Sequence, residues 1–229
     1  MNIKAVIFDL DGTVLDTEKL LVKYWCQAAN EAGFPMQREH ALQLRSLAAK
    51  YAAPLMKTWF GEECDYQALR KRRMKLMADH LEKYGLEVKA GIPELLDYLG
   101  KKGLKRAVAT ATDLTRASEY LKQVGLFDSF DRIISAHMVE NGKPKPDVYI
   151  YAVEQLGLTP AECIAVEDSP NGVLSASAAG CKTVMIPDLS EPDEQLEALF
   201  YAKCEKPGGL IELLEKEEKA DEHSHCQRT

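Results

Sequence analysis

Ala5-Val6-Ile7-Phe8 is apolar at every position and runs straight into two carboxylates, Asp9 and Asp11, where the next core residues would be due. A strand with no polar alternation must be covered on both faces, which is how strands lie in a parallel sheet packed between helices. Short runs of the same kind recur at 105–110, 132–135, 163–166 and 182–186. Helical patterns separate them. The stretch 93–101 opens on Pro and stops before Gly103; Leu114, Ala117, Leu121 and Val124 lead to Gly125; 147–156 follows; and 171–179 stops at Gly180. Strands this short, alternating with helices, predict an α/β fold: a doubly wound parallel sheet with a Rossmann-like core.

One stretch breaks the alternation. From near Asp16 to near Leu86 the apolar residues recur at helical spacing only: Leu20, Leu21, Tyr24, Trp25 and Ala28, then Tyr51, Leu55, Met56, Trp59 and Phe60, then Leu69, Leu76, Met77, Leu81 and Tyr84. At 229 residues the chain exceeds the ~100–200 of one domain, so a sizeable insertion is expected, with a core at 1–15 and 87–214 and a helical insert at 16–86. The Met and Trp residues of the stripes are expected inside that insert. Residues 215–229 are charged and lack apolar periodicity, which predicts a disordered tail.

Composition narrows the setting. With 46% hydrophobic and 28% charged residues and no apolar run long enough to cross a bilayer, a cytoplasmic globular protein without membrane partners is expected. The six cysteines lack CxxC spacing, which suits unpaired thiols better than disulfides or a zinc site. A net charge of −7 argues against nucleic acid as a partner and leaves a small phosphorylated substrate open. The one strongly basic run, Arg70-Lys71-Arg72-Arg73-Met74-Lys75, could steer an anion toward a cleft, although a solvated helix face accounts for it more simply. A monomer is the default expectation.

In open α/β sheets, ligands bind beyond the carboxyl ends of the strands. Those ends carry Asp9 and Asp11, then Thr110, then Glu167 and Asp168, and Lys143 stands in a proline-flanked loop just before a helix. Each alone has a plainer explanation, as turn residue, helix cap or surface charge. Gathered on one edge, four carboxylates oppose stability, because two like charges ~4 Å apart repel by roughly 4 kcal/mol at an effective dielectric of about 20. A cation must relieve that repulsion, and hard oxygen ligands suit Mg²⁺.

The motifs Asp9-Leu10-Asp11-Gly12-Thr13, Thr110, Gly142-Lys143-Pro144-Lys145-Pro146-Asp147 and Val166-Glu167-Asp168-Ser169-Pro170-Asn171-Gly172 stand in that order along the chain. In this the chain resembles the haloacid dehalogenase-like superfamily, specifically its β-phosphoglucomutase and phosphoglycolate phosphatase branch. The resemblance implies that 16–86 is a helical cap on a catalytic core. It implies that Asp9 is a nucleophile forming an aspartyl phosphate, and that Asp11 is general acid and then general base. Thr110 and the Ala111 backbone would hold phosphoryl oxygens, and Lys143 would neutralise the phosphate and Asp9. Mg²⁺ would be bound by Asp9, the Asp11 carbonyl, Asp168 and, directly or through water, Glu167. The second Asp sets phosphatases and mutases apart from the dehalogenase and ATPase branches.

Within the cap, Leu44-Arg45-Ser46-Leu47-Ala48-Ala49-Lys50 occupies the branch's substrate-recognition loop but lacks its usual glycine, and Arg45 and Lys50 are the candidates for gripping substrate. Mutases of the branch carry a histidine in the first cap helix, and the matching position here is Leu21. The expectation is therefore a Mg²⁺-dependent phosphatase acting on a small phosphate monoester, a sugar phosphate or similar metabolite. A sugar-phosphate mutase is the alternative. A phosphorylatable signalling domain is more distant, since receiver domains share Asp, Thr, Lys and Mg²⁺ but have no helical insertion.

Overall fold

The structure is a computed structural model that describes the backbone of residues 3–226 and the side chains of 3–218. Strands β1 (Ala5–Phe8), β2 (Lys105–Thr110), β3 (Arg132–Ser135), β4 (Cys163–Glu167), β5 (Lys182–Met185) and β6 (Ala202–Lys203) form one sheet in the order β3-β2-β1-β4-β5-β6, every neighbouring pair parallel. Phe8 lies in register with Val108 on one side and Val166 on the other. That register brings Asp9, Thr110 and Glu167 out on the same edge, on either side of the point where the strand order reverses.

The unbroken apolar run of β1 is buried on both faces, as its composition requires. Val6 and Phe8 join Val108, Ile164 and Val166 under α5 (Ile92–Lys101), α6 (Leu114–Gln123) and α10 (Pro207–Cys226), through Leu95, Leu99, Leu121, Leu210 and Leu214. Ala5 and Ile7 join Ala107, Ala109 and Ala165 against α7 (Asp147–Leu156) and α8 (Pro170–Ala178), through Val148, Tyr149, Ala152 and Ala176. Fully burying a Val, Ile or Phe contributes about 1.5–3 kcal/mol, so the central strand is anchored from both sides.

Between β1 and α5 lie α1 (Glu18–Glu31), α2 (Arg38–Gln43), α3 (Ala49–Phe60) and α4 (Tyr66–Tyr84). They share a core of their own, with Val22, Trp25, Ala29, Met36, Met56 and Leu69 at its centre. Asp65 caps α4 by accepting from the N–H groups of Gln67 and Ala68. The chain leaves and re-enters this region side by side: Leu15 bridges Val88 antiparallel, and Asp16 N–H donates to the Glu87 carbonyl at 2.9 Å. A helical insert at the end of β1 is therefore held on a narrow double connection. Tyr84, expected in an apolar stripe, is 64% exposed at the last residue of α4.

Two features depart from the sequence expectations. Strand β6, which follows the one-turn helix α9 (Glu194–Glu197), is too short to carry an apolar pattern. Helix α10 runs on through residues expected to be disordered, tied down by its own charges: Glu217 accepts from Lys182 and Tyr201, and Glu218 from Lys102. Residues 227–229 of that expected tail lie outside the described residues. Cys26, Cys64, Cys163, Cys181 and Cys204 are free thiols. Among the described residues no helix is long and apolar enough to cross a membrane.

Candidate active site

The strand ends open into a cleft of about 230 Å³ roofed by the helical insert. Past Asp9 the chain folds back on itself, with Val14 and Leu15 N–H both donating to the Leu10 carbonyl and Gly12 N–H to that of Leu15. Gly12 takes φ +89 in this turn, and a Cβ there would lie 2.5 Å from Asp168 Oδ2. Only glycine meets both demands. Gly172, in the first turn of α8, is fixed by space alone: a Cβ would lie 1.8 Å from Glu167 Oε2. Two glycines thus leave room for two carboxylates.

Asp9, Lys143, Glu167 and Asp168 are at most 1% exposed. Lys143 Nζ donates to Asp9 Oδ1 at 2.5 Å and to Glu167 Oε1 at 2.6 Å, and Tyr149 O–H donates to Glu167 Oε1 at 2.5 Å. One ammonium cannot balance this many acids. Burial pushes Asp9 up to about 7, with Lys143 opposing and Glu167 and Asp11 adding to the rise. Burial, then Asp9 and Glu167, hold Asp168 well above the usual carboxylate range. Burial, then Asp168 and Asp11, do the same to Glu18. Burial opposes the charge on Lys143, but Asp9 and Glu167 keep its proton held more firmly than usual.

Asp9, Glu167 and Asp168 each offer an oxygen, all within 4.8 Å of one another. Both Asp168 oxygens and Glu167 Oε2 are buried without a hydrogen-bond partner. Buried carboxylate oxygens are costly when unpaired. An all-oxygen donor set with orphaned lone pairs and glycine-cleared space fits a hard divalent cation.

Asp11 stands apart from this cluster. Its Oδ1 accepts from Thr17 Oγ1 at 2.6 Å and its Oδ2 from Thr112 Oγ1 at 2.7 Å, which fixes the carboxyl at the cleft. Thr112 is itself held: its N–H donates to Thr110 Oγ1, and its carbonyl accepts from Ser135. Thr110 and Ala111 line the cleft beside it. Thr17, Thr112 and Tyr149 were not among the residues expected from the sequence. The available signal was a hydroxyl two positions past the strand-end Thr110.

The insert supplies the opposite wall. Ala48 N–H donates to the Lys143 carbonyl at 3.0 Å, and Asn171 Nδ2 to the Arg45 carbonyl at 2.9 Å, so the insert is bonded to the sheet side across the cleft. Ser46 takes φ 52, the left-handed backbone that suits the glycine missing from this loop, and its Oγ lies 3.4 Å from Asp9 Oδ2. The two expected substrate grips are already engaged. Arg45 is buried with Nη1 3.6 Å from Asp168 Oδ2, Nε donating to the Leu42 carbonyl and Nη2 to Ser190. Lys50 is exposed, with Nζ donating to Asn141 Oδ1 at 2.8 Å. Leu21, Trp25, Arg70, Arg73 and Arg116 line the remaining wall. Trp25 is thus a cleft residue as well as a core one, and the basic run of α4 divides: Arg70 and Arg73 face the cleft while Lys71, Arg72 and Lys75 are exposed.

The sequence pattern of the haloacid dehalogenase-like hydrolases matches residues 6–186. The chain is 32% identical over 220 residues to hexitol phosphatase A of Escherichia coli, covering 92% of this chain and 99% of that protein. It is 28% identical over 218 residues to the phosphorylated carbohydrates phosphatase of Thermotoga maritima, covering 93% and 99%. In fold it is similar to the crystal structure of β-phosphoglucomutase from Clostridium difficile, with a TM-score of 0.80 at 19% identity over 93% of this chain and 96% of that one.

Proposed function

The chain belongs to the haloacid dehalogenase-like hydrolases, and we propose that it is a Mg²⁺-dependent phosphatase that hydrolyses a small phosphate monoester, a sugar phosphate or similar metabolite, through an aspartyl phosphate on Asp9. The observation that carries this reading is Asp11, two residues past Asp9, facing the same cleft with each oxygen bonded to a different threonine. A carboxyl so placed can serve both halves of a two-step displacement.

In the first step an Asp9 oxygen attacks phosphorus, the bond to the ester oxygen breaks, and Asp11 gives its proton to that departing oxygen. In the second, water attacks the phosphorus of the aspartyl phosphate, Asp11 takes the water's proton, and the bond to Asp9 breaks to release phosphate. Thr110 Oγ1 and the Ala111 N–H hold phosphoryl oxygens, and Lys143 offsets the charge on Asp9. Mg²⁺, held by Asp9, Asp168, Glu167 and the Asp11 carbonyl, would supply positive charge against the phosphoryl oxygens. Monoester hydrolysis needs up to ~10²¹-fold acceleration, so covalent catalysis, positioning and charge must act together.

Residues 16–86 act as the cap that shuts water and substrate into the site, over a catalytic core of 1–15 and 87–214. A mutase would need a proton-transferring group at the first cap helix; that place on the cleft wall is Leu21, which favours hydrolysis. The test is inorganic phosphate release from a panel of small phosphate esters, with and without Mg²⁺, with Asp9→Asn as the control for contaminating activity. Metal-dependent release lost in the variant is expected. Release that persists in Asp9→Asn, or dependence on a bisphosphorylated sugar primer without net phosphate release, would overturn the reading.

A further inference from the structure

Arg73 is 8% exposed, at the centre of the buried stripe of α4 between Leu69 and Met77. Its guanidinium lies over the Trp25 ring, 5.1 Å from the centroid, and Trp25 stacks in turn on Tyr66 at 5.6 Å and 30°. That stacking fixes the plane of the guanidinium and leaves its edge to make hydrogen bonds. No described residue uses that edge: Nε is buried with no hydrogen-bond partner among them. Among the described residues Arg73 and Arg70 form no ion pair, and of the three arginines on this wall only Arg116 does, with Asp113 at 3.1 Å. Burial and the neighbouring Arg116 weaken the hold of Arg73 on its proton, with Asp11 opposing. The arrangement costs stability as it stands, and a bound anion would relieve it.

The reacting phosphate is accounted for at the other end of the same cleft, by Lys143, Thr110 and the acidic cluster. Asp11, whose charge acts on Arg73, already has both oxygens bonded to threonines. We infer that Arg73, with Arg70 and Arg116, forms a subsite for a second anionic group, so that the substrate is a short phosphate ester carrying a carboxylate or a second phosphate at its far end. This rests on the phosphatase reading above and narrows its substrate class. A cleft of about 230 Å³ matches a small metabolite of this kind in size. A planar guanidinium with a free edge suits either oxyanion through paired hydrogen bonds.

The test compares kcat/KM for matched pairs that differ only in the far group: glycerol phosphate against phosphoglycerate, 2-hydroxyethyl phosphate against phosphoglycolate, and a hexose monophosphate against its bisphosphate. The wild type is expected to favour the anionic member of at least one pair by about tenfold or more, and the favoured pair tells carboxylate from phosphate. Arg73→Gln and Arg116→Gln are each expected to bring that ratio toward one, while Arg73→Lys retains part of it and controls for lost packing. Neutral-ended esters preferred throughout, or both members of each pair falling alike in Arg73→Gln, would overturn the subsite while leaving the phosphatase reading in place. If no ester is turned over, calorimetric binding of the same pairs to Asp9→Asn separates the two ideas. Tighter binding of the anionic member that depends on Arg73 sustains the subsite without the phosphatase, and equal binding removes it.

Discussion

On the sheet side of the cleft, Asp9, Lys143, Glu167 and Tyr149 are fully or almost fully buried, and each is bonded to another member of the group. On the cap side, among the described residues, Lys50 is exposed and bonded only to an asparagine, and Arg73 is buried with an unpartnered nitrogen. The difference follows from what positions each side. Asp9 and Glu167 sit at strand ends whose register is set by backbone pairing on both flanks of β1, and Lys143 and Tyr149, from the loop before α7 and from α7 itself, are bonded to them. The cap groups ride on helices joined to the core by a double connection and a few cross-cleft bonds. On the proposed function, the reaction chemistry falls on the side that the sheet holds fixed, and substrate choice on the side held by fewer bonds.

The hardest test of that contrast is at Asp9. Asp9→Asn is expected to lower turnover by a factor on the order of 10⁴ or more with the fold retained, measured as phosphate release beside a thermal melt. A drop of only a few-fold would mean that the sheet side does not carry the chemistry. Next in size is the pair Lys143→Met and Lys50→Met. Removing Lys143 strands two buried carboxylates and is expected to cost about 3–5 kcal/mol of stability at neutral pH. The same change at exposed Lys50 is expected to stay within about 0.5 kcal/mol. Urea denaturation of both variants reads the contrast directly, and equal losses would dissolve it.

Thr112→Val frees one oxygen of Asp11 while keeping the side chain's shape. Loss of one such bond corresponds to about 1 kcal/mol, so kcat is expected to fall several-fold with KM little changed. An unchanged kcat would assign Thr112 a packing role only. The smallest effect concerns metal and pH. Asp9 and Asp168 have raised pKa values in the folded chain, so the metal-free protein holds their protons more tightly than the unfolded chain does. The contribution of these two groups to stability is therefore greatest at acid pH and declines as pH rises from about 4 toward about 7. Mg²⁺ needs the ionised carboxylates, so the rise in Tm on adding it is expected to be larger at pH 7.5 than at pH 5. A rise of equal size at both would place the ion elsewhere.

The same contrast governs what could be read from the chain beforehand. Asp9, Asp11, Glu167 and Asp168 were legible because each follows an all-apolar run whose end must lie at the ligand edge of a parallel sheet. Lys143 was legible from its proline-flanked loop. Thr17, Thr112 and Tyr149 were not, since a hydroxyl bonded to a carboxylate six, 101 or 18 positions away leaves no local pattern. The continuation of α10 escaped for the same reason: its anchors Lys102, Lys182 and Tyr201 are distant in sequence. Arg45 was recognisable as a cap cation, but its place against Asp168 follows from closure of the insert. Arg73 has a local signature in the sequence: four residues after Leu69 and four before Met77, it interrupts an apolar stripe with a charge.

The central claim is that Asp9 carries the phosphoryl group, and the most direct measurement is a rapid quench of Asp11→Asn mixed with Mg²⁺ and p-nitrophenyl phosphate, followed by peptide mapping. That leaving group needs little protonation, so the first step proceeds while the second lacks its base. A burst of nitrophenol stoichiometric with enzyme, together with a phosphoryl adduct on the peptide bearing Asp9, is expected. Linear release with no adduct, or an adduct on another residue, would contradict the account.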